Sequence, residues 1–320
     1  MKPIVALPFH SQARLFCDEA RQMLLDAGFE LRCNTSGIRP TAEDLKKMLD
    51  GAFAVIAGTE KYTADVLADA NDLKAVIRFG VGTDNFDLKA MGEKGLQVGV
   101  IANHNAVAEF ALTLMLSLLK NLPRLDRAAR AGQWARFPMR ELSAKTVGLV
   151  GFGRIGRRLA ELLSGFGVTL LVYDPFVPPE AIRACNAEPV SLEQLLNRSD
   201  LVSLHLPATP QTHHLIDGQR LAQMKDGAYL INTARGALVD EAALLEALQS
   251  GKLAGAALDV FEQEPLSGEN PLLALDNTVF APHVSALSFE TNYNGSIICA
   301  ESIIRVYRGE PPVYPVRTGK

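Results

Sequence analysis

Short apolar runs alternate with amphipathic stretches through the first third of the chain. PIVALPF, ARLFCDEARQMLLDAG, FELRCN, TAEDLKKMLDG and AFAVIAG follow one another, and DVLADAN, LKAVIRFG and GLQVGV continue the series. The short runs have the length and content of buried strands, and the stretches between them carry apolar residues at helical spacing. This rhythm predicts a parallel sheet with helices on both faces, complete in itself. A helix pattern from Asn105 to Leu122 follows, apolar almost all the way round, which predicts burial between domains or between subunits. A more polar helix, RLDRAARAGQW, comes next, with Gly132 near its end.

From Thr146 the rhythm restarts. TVGLVGF, TLLVYD, LVSLHLP, AYLINT, AGAALDVF and TVFAPH read as strands separated by helices or helical turns. Ser191 with Gln194 forms a capping box, and Asp240 caps a helix that ends at Gly251. A last helix pattern, roughly Thr291 to Tyr307, closes the chain. The pattern predicts two α/β units, with the final helix returning to the first. That makes one discontinuous domain of residues 1–101 and 285–320, with residues 102–284 inserted into it.

Composition narrows the picture little. A length of 320 residues, 48% apolar and 21% charged, suits a two-domain globular protein. A net charge of −4 with no basic tail argues against broad nucleic-acid binding, although one or two arginines suffice for a small anion. The start, MKPIVALPF, lacks the features of a signal peptide, and FALTLMLSLLKNL is too short to span a bilayer and carries Lys120. The expectation is a soluble, cytoplasmic protein with no membrane partner. Cys17, Cys33, Cys185 and Cys299 are scattered, which predicts free thiols rather than a disulfide or zinc framework.

Gly151, Gly153 and Gly156 form GFGRIG between an expected strand and an expected helix. The first glycine permits the tight turn, and the second lets backbone approach a pyrophosphate. The third lets helix and strand pack closely, while the helix amides face the phosphates. Asp174 ends the next strand, where an acidic side chain bonds ribose hydroxyls and repels a 2′-phosphate. Pro175 follows rather than an arginine, so NAD is favoured over NADP. The plainer alternative is three glycines that serve only a strand–helix turn.

Ligands of open α/β sheets sit at the carboxyl ends of strands. That rule singles out Arg235 after AYLINT, Glu264 after AALDVF and His283 after TVF. Reducing a 2-oxo acid needs a cation for the carboxylate and keto oxygen, a proton donor, and a carboxylate that favours the donor's protonated form. Each residue alone has a bland reading: a turn arginine, a solvated carboxylate, a histidine satisfied beside a proline. Three complementary groups at three strand ends favour chemistry. His205 reads as core, and His213 and His214 as part of a polar connection. His10 and His104, near expected domain junctions, stay open as site residues.

These segments together resemble the D-isomer-specific 2-hydroxyacid dehydrogenases. The matching text runs from RFGVGTDNFDL and NHNAVAEFALTLML through ELSAKTVGLVGFGRIGR and LVSLHLPATPQTHHLID to MKDGAYLINTARGALVDEAALLEALQSGKLAGAALDVFEQEP and APHVSAL. The resemblance implies two doubly wound α/β parallel-sheet domains, a Rossmann NAD domain inserted into a flavodoxin-like substrate domain. It implies that Arg235 binds and polarises the substrate, and that His283 is the proton donor in reduction and the base in oxidation, paired with Glu264. Amides at Val81 and Gly82 hold the substrate carboxylate. Arg154 and Ile155 meet the pyrophosphate, Thr209 lies near the cofactor, and Asp259 contacts the nicotinamide carboxamide. The helix after Asn105 corresponds to a homodimer contact.

Several positions depart from the family pattern. Ile101 stands where a glycine often precedes the asparagine matched by Asn103, and Ser285 and Ala286 replace glycines after the histidine. Thr59 stands where phosphoglycerate enzymes commonly carry arginine, and the sequence given carries no match to their regulatory C-terminal domain. Lys61 and Arg78 still offer positive charge. The expected substrate is therefore hydroxypyruvate or glyoxylate, then phosphohydroxypyruvate, then larger pyruvate-like acids. Two alternatives stand beside this: an NAD-sensing, corepressor-like binding protein, and a phosphonate-type dehydrogenase using the same three groups. Formate enzymes place glutamine where Glu264 stands, and no Tyr-x-x-x-Lys motif of short-chain dehydrogenases occurs.

Overall fold

A computed structural model of the chain describes residues 2–9, 16–101 and 104–318. His10 and Asn103 lie outside the described residues. The chain divides into two compact units, Met1–Asn103 with Leu287–Lys320, and His104–Ala286. The first unit starts with β1 (Ile4–Leu7), α1 (Asp18–Asp26), β2 (Glu30–Cys33), α2 (Ala42–Leu49) and β3 (Ala52–Ala57). It continues with α3 (Ala64–Leu67), β4 (Ala75–Arg78), α4 (Leu88–Glu93) and β5 (Gln97–Val100).

The second unit opens with α5 (Asn105–Leu119), α6 (Leu122–Arg130), β6 (Thr146–Val150), α7 (Arg154–Leu163) and β7 (Thr169–Tyr173). Next come α8 (Pro179–Arg183), β8 (Glu188–Pro189), α9 (Leu192–Arg198), β9 (Leu201–Leu204) and α10 (Gly218–Gln223). It ends with β10 (Ala228–Asn232), α11 (Glu241–Gln249), β11 (Leu253–Leu258) and β12 (Thr278–Phe280). The last helix, α12 (Phe289–Tyr307), belongs to the first unit.

The first unit's strands pair in parallel in the order β2-β1-β3-β4-β5. Side chains alternate across this sheet because strand geometry sends neighbours to opposite faces. Val5, Leu7, Ala54, Ile56 and Ile77 enter one core with α1 and α12, while Ala6, Val55, Ala57 and Val76 enter another with α2 and α3. Cys299, Ala300, Ile303 and Val306 carry α12 into the first of these cores, and the Cys17 amide donates to Ser296 Oγ at 3.1 Å. Both faces being covered, β3 reads as an unbroken apolar run.

The second unit holds a seven-stranded parallel sheet ordered β12-β11-β10-β9-β6-β7-β8. Val150, Leu204, Leu230 and Leu258 face α9, α10 and α11, and Val147, Leu149, Ile231 and Ala257 face α5 and α7. The strand order reverses between β6 and β9, which is where open α/β sheets bind ligands.

One expectation needs correction. The apolar helix ends at Leu119, because Asn121 adopts a left-handed φ of 51° and the chain turns by 64° into α6. Six of its seven buried residues, Ala108 to Leu119, lie in one core with α7 in the second unit. No single helix among the described residues is long and apolar enough to cross a membrane.

Candidate functional site

At the sheet's switch point each glycine of GFGRIG has a different reason to be there. Gly151 has φ +100°, and a Cβ on it would stand 2.6 Å from the His205 carbonyl oxygen at the end of β9. A Cβ on Gly156 would press into the Gly151 carbonyl, so helix and strand meet only without one. Gly153 has no heavy atom within 4 Å of its missing Cβ, and no side chain caps the start of α7. Its two companions are glycine because protein is close. Gly153 faces open space at an uncapped helix N-terminus, a cradle suited to a pyrophosphate. Arg154 is exposed beside it, and Ile155 turns its side chain toward the core.

Asp174 follows β7 and reaches back to this turn. Its Oδ2 accepts from the Phe152 amide at 2.7 Å and its Oδ1 from the Phe176 amide at 2.9 Å. Each oxygen keeps a further lone pair for a ribose hydroxyl. The carboxylate thus holds the glycine turn and fits the role of ribose acceptor. Thr209 lies exposed in the loop after β9, with its amide and hydroxyl bonded to Thr212 Oγ1.

His205 stands directly after β9 with its Nε2 buried. Burial pushes its pKa from 6.5 down to about 4, so the ring is neutral in the folded protein. The unfolded chain takes up this proton first, so stability falls as pH drops from 6.5 toward 4. The loss attributable to this group is at most about 3 kcal/mol. Urea unfolding at neutral pH and at pH near 4.5 checks this: His205→Gln is expected to flatten the acid loss, and an unchanged slope refutes the assignment.

The three strand-end groups come together in the second unit. Arg235 closes the turn after β10, and Gly236 allows that turn to lie against the Phe261 backbone, where any Cβ would collide. Arg235 Nη1 donates to the Ala234 carbonyl at 2.6 Å. Glu264 Oε1 accepts from the Phe261 amide at 3.1 Å, and its Oε2 meets His283 Nδ1 at 2.8 Å. Burial alone would raise the Glu264 pKa, but the His283 hydrogen bond and charge, the Phe261 amide and Arg235 together hold it below its usual value. With Nδ1 tied to a carboxylate, Nε2 is the ring nitrogen left to exchange a proton. The histidine side chain is 48% exposed, enough to meet a ligand.

Two buried residues shape these loops. Asn232, 1% exposed, accepts from the Ala234 amide at 3.0 Å and donates to the Arg235 carbonyl at 2.8 Å. Sequence reasoning missed it, although an asparagine ending a strand three residues before the arginine is a turn-forming signal. Asp259 is fully buried, and its carboxylate takes the amides of Val284 at 2.8 Å and Ser285 at 3.0 Å. Its oxygens therefore point to the His283 turn.

Of the remaining candidates, Val81 and Gly82 follow β4 in the first unit, where the Gly82 carbonyl accepts from Arg78 Nε at 3.2 Å. His213 stacks on His214 at 4.0 Å between ring centres, and His214 Nε2 lies 2.6 Å from Glu262 Oε1. His104 directly precedes α5.

This sheet order, with its glycine turn and acidic β7 end, defines a dinucleotide-binding protein of the doubly wound class. Residues 112–285 match the family described as D-isomer specific 2-hydroxyacid dehydrogenase, NAD binding domain, and the chain belongs to that family. It is 38% identical over 97% of its length to D-3-phosphoglycerate dehydrogenase of Methanocaldococcus jannaschii, of which it spans only 58%. It is 40% identical to glyoxylate reductase of Thermofilum pendens, covering 85% of this chain and 84% of that one. Among solved structures, the apo form of D-lactate dehydrogenase from Escherichia coli superimposes with a TM-score of 0.84 at 29% identity, over 98% of this chain and all of that one.

Proposed function

We propose that the chain is an NAD-dependent dehydrogenase that interconverts a small 2-oxo acid and its 2-hydroxy acid. The observation that carries this reading is the His283–Glu264 pair at 2.8 Å with the Arg235 charge acting on the same carboxylate. NADH, when bound at the glycine turn, supplies the hydride. Arg235 grips the substrate carboxylate and draws electron density from the keto carbon through its oxygen. His283 passes the Nε2 proton to that oxygen while Glu264 stabilises the ring's positive charge. In the reverse direction Nε2 takes the hydroxyl proton. One hydride and one proton enter, and a 2-hydroxy acid leaves.

The first unit is the substrate-binding domain in this reading, with the Val81 and Gly82 amides holding the carboxylate. Glyoxylate and hydroxypyruvate are the favoured substrates, with phosphohydroxypyruvate next. The glyoxylate reductase relative, matched over most of its length, supports that order. No observation favours the binding-protein alternative, since the three reactive groups are gathered in one place. We also infer a cytoplasmic homodimer. Leu122, Trp134 and Met139 are 57%, 89% and 59% exposed on and after α6, apolar side chains that a second copy would cover.

The test is NADH oxidation by the purified chain against glyoxylate, hydroxypyruvate, phosphohydroxypyruvate and pyruvate, with NADPH in parallel. Turnover of at least one acid is expected; tight NADH binding with no turnover on any of them overturns the reading. Asp174→Ala is expected to weaken NADH about 10- to 100-fold, from the loss of charge-assisted hydrogen bonds. It should also shrink the preference for NADH over NADPH, because the repelling carboxylate is gone. Fluorescence titration reads both, and equal weakening of the two cofactors would confine Asp174 to holding the turn.

A further inference from the structure

The consecutive amides of Val81 and Gly82, after β4, have no hydrogen-bond partner among the described residues. The carbonyls on either side of them are taken, and by one side chain. Arg78, the last residue of β4, donates from Nη1 to the Phe79 carbonyl at 3.1 Å and from Nε to the Gly82 carbonyl at 3.2 Å. Nη1 also donates to the Ala57 carbonyl at 3.3 Å, which ties the loop to the end of β3. Gly80 leaves room for this arrangement, since a Cβ on it would stand 3.0 Å from Arg78 Cζ and 3.2 Å from both Nη atoms. A guanidinium suits the task, because its planar fork holds several donors at fixed angles and keeps its charge.

We propose that Arg78 is a positioning residue for the substrate carboxylate. By drawing the Phe79 and Gly82 carbonyls to itself, it leaves the two N–H groups between them to meet the anion, as a nest of successive amides requires. Without it these peptide planes are free to rotate and to set a carbonyl oxygen, negatively polarised, against the carboxylate. This is a different duty from the one its charge suggests in the sequence, that of neutralising a substrate's phosphate. Three carbonyls spread over two strand ends hold the guanidinium, and a side chain so held serves the loop rather than the far end of a substrate. The proposal rests on the dehydrogenase reading, in which these amides take the carboxylate, and its test is built to fail separately from it.

Arg78→Gln removes the charge and the fork. The expected result is a rise in KM of about 10- to 100-fold, the range lost when hydrogen bonds from a charged group fail. The factor should be the same on every acid the native chain reduces. A carboxylate held equally before and during reaction contributes to KM alone, so kcat should stay within about threefold and the Kd for NADH within about twofold. A lowered thermal stability with an unchanged KM overturns the proposal, and so does a rise confined to phosphohydroxypyruvate, which would make Arg78 a phosphate ligand. The second readout needs no turnover. Oxamate, an unreactive mimic of a 2-oxo acid with no phosphate, is titrated into the NADH-loaded protein by fluorescence and should bind more weakly by the same factor in Arg78→Gln. If the native chain reduces no 2-oxo acid but binds oxamate, the dehydrogenase reading fails while this titration still decides the role of Arg78. A native chain that neither reduces an acid nor binds oxamate overturns both. Gly80→Ala is the second variant: it keeps the arginine but crowds its guanidinium, and a smaller rise of about 3- to 10-fold in KM is expected. If Arg78→Gln does not fold, Gly80→Ala decides alone. Failure of both to fold overturns the proposal too, because Arg78 would then serve the fold rather than the carboxylate.

Discussion

Replacing His283 with alanine is expected to lower kcat for 2-oxo acid reduction by about 10^2- to 10^4-fold, the usual contribution of a positioned general acid. NADH affinity should change little, since the glycine turn and Asp174 belong to separate loops of the same unit. Glu264→Gln serves as the graded companion. It preserves a hydrogen bond to Nδ1 but removes the negative charge held against the ring, so a loss of about 10- to 100-fold is expected. The depressed pKa of Glu264 also has a defined consequence for pH. A carboxylate lowered in the folded state contributes its stabilisation above the ordinary carboxylate range and loses it as pH falls through the lowered value. Glu264 therefore stays ionised through neutral pH, and its own titration does not shape activity there. Stopped-flow and steady-state rates with one substrate across pH check both statements. A His283→Ala enzyme that keeps more than about a tenth of native kcat would remove this histidine from the proton transfer.

Much of this site could be read from residue types and spacing, because its parts are local. Strands such as AFAVIA and LVSLHLP announce themselves by composition, and the glycine turn by its position between a strand and a helix. Arg235, Glu264 and His283 follow from the rule that ligands meet strand ends, which needs only the strand assignments. What stayed hidden depends on partners distant in sequence. Asp259 and the 283–285 turn are about two dozen residues apart, and nothing near Asp259 signals that three amides converge on it. The two-residue edge strand β8, Glu188–Pro189, is too short for any periodicity and exists only because β7 pairs with it. The break at Asn121 was obscured by NLPRL, whose proline is tolerated in a helix's first turn. Nor does an all-round apolar helix disclose which surface covers it, and here α7 and the strands of its own unit do so.

Arg235→Ala is expected to reduce kcat/KM on the order of 10^3- to 10^5-fold, the sum of a lost electrophile and a lost carboxylate anchor. Unlike the histidine variant, it should raise KM as well as lower kcat, because the guanidinium grips the substrate before and during reaction. Arg235→Lys should recover only part of this. A lysine keeps the charge but lacks the planar fork that engages two oxygens together, and the turn fixed by Asn232 directs a guanidinium, not an ammonium. The neighbouring carboxylate reports on the same change: without Arg235 one of the influences lowering the Glu264 pKa is gone, so that pKa rises toward its ordinary value. The decisive comparison is across substrates. Every candidate acid shares the 2-oxo carboxylate and differs only beyond it, so a residue that reads the shared part loses the same factor on each. Equal losses of kcat/KM on glyoxylate and hydroxypyruvate therefore assign Arg235 to the reacting group. A loss confined to the larger acid would assign it to the substrate's tail, and the polarising cation would then have to be sought elsewhere.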